Sequence, residues 1–162
     1  MKQSLLARLA NQLDAFDPLL SGLTADQIQQ RPQPDKWSIH ENLAHLGRYQ
    51  EVFTDRIQQI ITEENPQFGR YVADNDPGFA GWTALSFTDL LERLGGERAT
   101  LNAFLSILRE EQLTRIGLHP VYGPMTVEGW TEFFLLHEAH HFFTILKLGG
   151  VLRSADQPMG LS

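Results

Sequence analysis

The stretch Ser38-Ile39-His40-Glu41-Asn42-Leu43-Ala44-His45-Leu46 carries both a helix start and a helix face. A serine followed three residues later by a glutamate is the capping-box pattern, in which each side chain accepts from the other's backbone N–H. Leu43, Leu46, Phe53, Ile57 and Ile60 then recur at helical spacing, and the pattern fades near Glu63-Glu64-Asn65-Pro66. Three further segments show the same period. Leu5, Leu6, Leu9, Leu13, Phe16 and Leu20 form a stripe that ends at Gly22. A helix is predicted from Ser86, with Asp89 as the matching acid, through Leu90, Leu94, Leu101, Leu105 and Leu108; Gly95-Gly96 is its weak point. The last runs from Thr126 to Leu148, where Gly149-Gly150 reads as a stop. Four amphipathic helices of about 20 residues pack most simply as a four-helix bundle, an all-α fold.

The connections fit that reading. Residues 65–85 hold Asn75, Asp76, Pro77, Gly78 and Gly81, which predicts an irregular link long enough to serve as a crossover. Pro32 and Pro34 keep residues 31–37 out of regular helix, and Thr24–Gln30 reads as a short helical turn. No segment alternates with a period of two, so strands are not required.

Composition narrows the function. The 162 residues predict one domain over 1–162. There are 13 basic against 20 acidic residues, a net charge of -7, which disfavours a phosphate-binding surface, so no nucleic-acid partner is expected. Zero cysteines exclude a disulfide scaffold, a thiolate zinc site and a cysteine nucleophile. No apolar run approaches the about 20 residues of a membrane span, and Arg8, Asn11, Gln12 and Asp14 interrupt the start where a signal core would lie. The expectation is a cytoplasmic protein with no membrane partner.

Chemistry is concentrated in His137-Glu138-Ala139-His140-His141. On a helix, His137 and His141 stand one turn apart on one face, together with Phe134, Ile145 and Leu148, so both imidazoles are predicted to point inward. Two inward imidazoles need a metal or a carboxylate network to offset their burial. His45, between Leu43 and Leu46, is the candidate third ligand. Three imidazoles with open coordination positions suit a divalent metal, zinc or nickel first and iron next, since no thiolate biases the choice. His40 and His119 stand alone and read as structural or partly exposed. The same five residues also spell H-E-x-x-H, the zinc-peptidase pattern with Glu138 as base. That reading is weakened because only Asp156 follows as an acid and the metzincin extension is absent. Glu138 also points roughly 100° away from His137.

Lys36-Trp37-Ser38-Ile39 leading to Leu43-Ala44-His45-Leu46, then Tyr122-Gly123-Pro124-Met125-Thr126-Val127 leading to His137-Glu138-Ala139-His140-His141, resembles the DinB/YfiT-like superfamily of metal-binding four-helix bundles over nearly the whole chain. The resemblance implies an up-down-down-up helix order with residues 65–85 as the crossover. It also implies a metal held by His45, His137 and His141, and a homodimer. The activity it implies is transfer or hydrolysis on a small molecule, with a metal-activated thiol or water; some relatives are S-transferases using a low-molecular-weight thiol. A cysteine-free chain would take its sulfur from that cosubstrate. A metal-binding, stress-associated protein without turnover is the alternative. Glu41, Tyr49 and His140 are candidate residues behind the ligands. Phe68, Tyr71, Phe79 and Trp82 are expected to pack over the bundle mouth, and Trp37 and Trp130 to be packing anchors.

Overall fold

A computed structural model describes residues 1–155, so Asp156, Pro158 and Gly160 lie outside the described residues. The elements are α1 (Gln3–Asn11), α2 (Phe16–Leu20), α3 (Ala25–Gln29), α4 (Ile39–Thr62), α5 (Pro77–Thr83), α6 (Phe87–Ser106), α7 (Glu110–Leu113), strands β1 (Ile116–His119) and β2 (Gly123–Thr126), and α8 (Val127–Ala155). The bundle consists of α1 with α2, α4, α6 and α8.

Side-chain pairs fix its order. Arg8 meets Glu132, Gln12 meets Glu138 and Arg153 meets Leu19, so the amino-terminal helices run with α8. Leu43 and Leu46 share one apolar cluster with Leu90 and Leu94, while Phe53, Ile57 and Ile60 share the other with Leu101 and Leu105, so α6 runs with α4. Asn42 faces His141 and His45 faces His137, so α4 and α8 are antiparallel. The order is up-down-down-up. Two parallel neighbours cannot be joined by a tight turn, so the link from α4 to α6 must return along the bundle. It is not wholly irregular: residues Ala73–Asn75 form a 3-10 turn, and Asp76 caps α5 by accepting from Gly78 N–H at 2.9 Å.

Local chemistry explains the element starts. The capping box of α4 is present, with Ser38 Oγ accepting from Glu41 N–H at 3.1 Å and Glu41 accepting from Ser38 N–H at 2.8 Å. Ser86 accepts from Asp89 N–H at the start of α6, and α6 passes through Gly95-Gly96 unbroken.

Three expectations are corrected. The first stripe is not one helix: Gln12–Ala15 is a 3-10 turn between α1 and α2. Pro18 has no N–H for the Asp14 carbonyl and its ring crowds that carbonyl, which ends the regular α ladder there. Second, α8 runs through Gly149-Gly150 to Ala155. Its last turns are held by tertiary contacts: Leu152 is buried, and Arg153 donates to the carbonyls of Leu19 at 2.7 Å and Ser21 at 2.8 Å. Those contacts outweigh the about 1 kcal/mol that a helical glycine costs. Third, strands do occur. β1 and β2 pair antiparallel, from Ile116 with Thr126 to His119 with Gly123. Gly123 lies at φ +73°, where glycine is favoured. The outer side of the hairpin carries the crossover, since Phe68 N–H donates to Leu118 O and Leu118 N–H to Pro66 O.

The core has two apolar halves. One gathers Ile39, Leu43, Leu46, Trp82, Leu90, Leu94, Phe142 and Ile145; the other gathers Leu9, Phe53, Ile57, Leu101, Leu105, Trp130 and Phe134. Between them lies a buried polar layer with a member from each bundle strand. Arg98 pairs with Glu138, donates to Gln50 Oε1 at 2.6 Å and to Leu9 O at 3.1 Å, while Gln12 donates to Glu138 at 2.8 Å. Of the link aromatics, Phe79 and Trp82 are buried as expected. Trp82 packs so closely on α4 that a Cβ at Gly47 would lie 2.2 Å from its ring.

Candidate metal centre

The capping box starts α4 at a fixed residue, which places His45 on its buried side; α8 places His137 and His141 one turn apart on the face opposite. One ligating atom from each of the three rings can be chosen so that all lie within 4.8 Å of one another. The Nε2 atoms of His45 and His137 face each other at 3.2 Å. Two nitrogens on one tetrahedral ion, each about 2.05 Å from it, stand about 3.3 Å apart, so this pair is spaced for a shared cation.

His141 is oriented from behind. Asn42 Nδ2 donates to Ser38 O at 2.8 Å, which turns Asn42 Oδ1 towards His141 Nδ1 at 2.9 Å. Nδ1–H of His141 donates to that oxygen, leaving the Nε2 lone pair free to ligate. Asn42 is one helical turn before His45 on α4, so the two residues address both imidazoles of the α4–α8 seam. Burial pushes all three imidazoles down, His45 to about 4, His137 to about 3 and His141 to about 2, with the charge of neighbouring rings adding to the effect at His137 and His141. Neutral rings at neutral pH are the ligating form. Among the described residues His45 Nδ1 and His137 Nδ1 are buried without a partner, so none of these residues compensates the burial of the two rings on their far side. Three neutral imidazoles, converging lone pairs and no thiolate fit a borderline divalent cation.

Aromatic rings wall the cluster. Tyr49 holds its ring tilted, 4.2 Å from that of His137, Trp37 lies 5.0 Å from His45 and 6.3 Å from His141, and Tyr71 lies 5.8 Å from His45. Trp37 is thus part of the site wall as well as a packing anchor against Phe79, while Trp130 is wholly buried and donates from Nε1 to Gly117 O. A cavity of ≈ 570 Å³ touches all three histidines and is closed by residues 69–74 of the crossover and the hairpin tip His119–Tyr122. A larger one of ≈ 760 Å³ opens on the other side of His141, along Asn42, His140 and Lys147, but touches neither His45 nor His137. All three histidines therefore meet in the smaller cavity.

The remaining candidates separate cleanly. Tyr49 touches the cluster. Glu41 does not serve it: its carboxylate caps Ser38 and pairs with Arg31, which holds it below the usual carboxylate range. His140 is exposed, with its ring 5.5 Å from that of His141 and edge-on. His40 is buried against Thr83 O, and His119 Nδ1 accepts from the N–H groups of Val121 and Tyr122, shaping its own turn. Glu138, the base of the peptidase reading, is buried against Arg98 and Gln12 on the other side of α8 from the cavity, so the H-E-x-x-H pattern lacks its base here.

A family model of the DinB superfamily matches residues 8–145. The chain belongs to the DinB superfamily. Within it, the uncharacterized protein YuaE of Bacillus subtilis (strain 168) is 27% identical over 137 residues, covering 75% of this chain and 83% of that one. Among solved structures, YfiT from Bacillus subtilis superposes with a TM-score of 0.75 at 18% identity, over 94% of this chain and 90% of its own. YfiT is described as a probable metal-dependent hydrolase with an unusual four-helix bundle topology. At that identity the likeness establishes the shared fold, which for this DinB-superfamily chain is the up-down-down-up order derived above.

Sequence reasoning passed over Asn42, whose signal was available: it lies one turn before His45 and four residues after the Ser38 cap. It also passed over Arg98 and Gln50, which no local pattern distinguishes from surface residues, and over Arg56.

Proposed function

We propose that this protein is a metal-dependent enzyme acting on a small molecule, with His45, His137 and His141 as the ligands of a divalent cation, zinc or nickel first. The observation that carries the reading is the convergence of three neutral imidazoles on the wall of a cavity large enough for a substrate. A cation held there supplies Lewis acidity, lowering the pKa of a bound water or low-molecular-weight thiol so that it becomes a nucleophile. The chain's own part is to prepare the place. Asn42 fixes the tautomer of His141. The rings of Trp37, Tyr49 and Tyr71 exclude bulk water from the histidines and offer an apolar surface for the body of a substrate. Burial keeps the Tyr49 and Tyr71 phenols protonated, so both are hydrogen-bond donors at neutral pH. The adjoining cavity favours turnover over a purely stabilising ion.

The test uses untagged full-length protein loaded with zinc or nickel. Hydrolysis of aryl esters reports a water nucleophile, and thiol addition to a dinitrophenyl halide reports a thiol nucleophile. Either activity should disappear on chelation and in His45→Ala, His137→Ala and His141→Ala. Activity that survives chelation, or stoichiometric metal with neither activity, would contradict the enzymatic reading.

A further inference from the structure

Arg56 has no role in the account so far, yet its setting is unusual. It lies on the same side of α4 as His45 and Tyr49 and is only 8% exposed. Among the described residues no carboxylate pairs with it. Its hydrogen bond goes from Nη2 to the carbonyl of Gly69 at 2.9 Å, and its guanidinium lies over the rings of Phe68 at 5.3 Å and Trp130 at 5.6 Å. A buried guanidinium is normally matched by a carboxylate, as Arg98 is by Glu138 in the same molecule. Here the charge is met by a carbonyl, the neutral Tyr49 hydroxyl and ring faces, and by no carboxylate among the described residues. It also lines the cavity that holds the triad, with Tyr49 between it and His137.

The neighbours agree in sign. Burial keeps His119 neutral, and the exposed Arg70 borders the same cavity. Asp74 is the acid that lines the cavity. It belongs to the 3-10 turn that follows Tyr71, and it also borders the second cavity beside Trp37, which Arg56 does not touch. Arg48 and Asp76 neutralise each other outside. The inner end of the cavity is therefore cationic and its walls aromatic.

We propose that Arg56 anchors the negatively charged end of the substrate, so that the site takes a small carboxylate carried on an apolar, aryl-sized body. The orientation follows if the reading above holds: with the carboxylate on Arg56, the other end reaches the histidines. Tyr49 spans the gap, its ring 4.2 Å from His137 and its hydroxyl beside Arg56. The separation of charge and reacting atom is then on the order of 10 Å, one tyrosine length plus a hydrogen bond. Arginine rather than lysine suits this role, because its fork can hold Gly69 O with one nitrogen and a carboxylate with the others.

The probe is 3-phenylpropionate, compared with its uncharged amide, in titrations of chelator-treated full-length protein followed by NMR shifts. Removing metal matters, because a carboxylate would otherwise find a second cationic partner. Wild type should bind the acid roughly 10–100-fold more tightly than the amide, the range for a charge-assisted hydrogen bond. Arg56→Gln should abolish that preference, and Arg56→Lys should keep part of it. The titration contains no metal, so the anion site is tested even if the histidines hold none. Equal binding of acid and amide by wild type, no binding of either, or an undiminished preference in Arg56→Gln would overturn the proposal. The wild-type comparison decides it alone if the variants fail to fold.

Discussion

Replacing Glu138 with alanine removes the only carboxylate among the described residues that meets the guanidinium of Arg98. The two side chains are 1% and 4% exposed, so no solvent takes over. Arg98 would keep Gln50 Oε1 and Leu9 O, both neutral acceptors, and Gln12 would keep Leu135 O at 3.0 Å. Breaking a buried pair from one side costs about 3–5 kcal/mol, mostly the penalty of the charge left behind. That is a large part of the roughly 5–15 kcal/mol that holds a domain together. In a chain of this length it corresponds to a fall of roughly 6–20 °C in Tm. Urea unfolding followed by tryptophan fluorescence and by far-ultraviolet circular dichroism measures it. The double variant Arg98→Met with Glu138→Leu should recover most of the loss, because an apolar pair of similar volume suits a layer bounded by two apolar half-cores. A loss below about 1 kcal/mol in Glu138→Ala, or a double variant as unstable as the two single losses combined, would refute the reasoning.

Other outcomes follow from the same geometry. Asn42→Ala should weaken metal binding by about 10–100-fold without removing a ligand, because His141 loses the acceptor that fixes its tautomer; competition with a chromogenic chelator measures this. Gly47→Ala should cost about 1–3 kcal/mol, since the new methyl would meet the Trp82 ring, and the loss is read from the urea midpoint. The metal-free protein should lose stability on acidification. His45 and His137 take protons in the unfolded chain near 6.5 but in the fold only near about 4 and about 3, so between those values the unfolded state binds more protons and stability falls with falling pH. A urea midpoint independent of pH between 6.5 and 4 would contradict that.

Much of the architecture was legible because it rests on local, periodic signals. The capping box at Ser38 and Glu41 and the stripes of α4 and α6 translate directly into buried faces. The helical spacing of Phe134, His137 and His141 predicts an inward imidazole pair whatever the neighbours do. What was illegible depends on contacts between distant segments. A break at Pro18 was visible in principle, but the leucine period concealed it. The continuation of α8 past Gly149-Gly150 depends on Arg153 reaching Leu19 and Ser21, more than 130 residues away in sequence. The four-residue strands of the hairpin are too short to show alternation and are held by Pro66 and Phe68 of the crossover. No local pattern marks Gln12, Gln50, Arg98 and Glu138 as one polar layer; only the bundle brings them together.

X-ray absorption fine structure of the metal-loaded, untagged protein tests the central claim most directly. Three imidazole nitrogens at about 2.0–2.1 Å from one zinc, plus an oxygen that exchanges when a thiol is added, is the expected first shell. Loss of one nitrogen should accompany each of His45→Ala, His137→Ala and His141→Ala. A first shell unchanged in all three variants would contradict the account, because the metal would then be bound elsewhere.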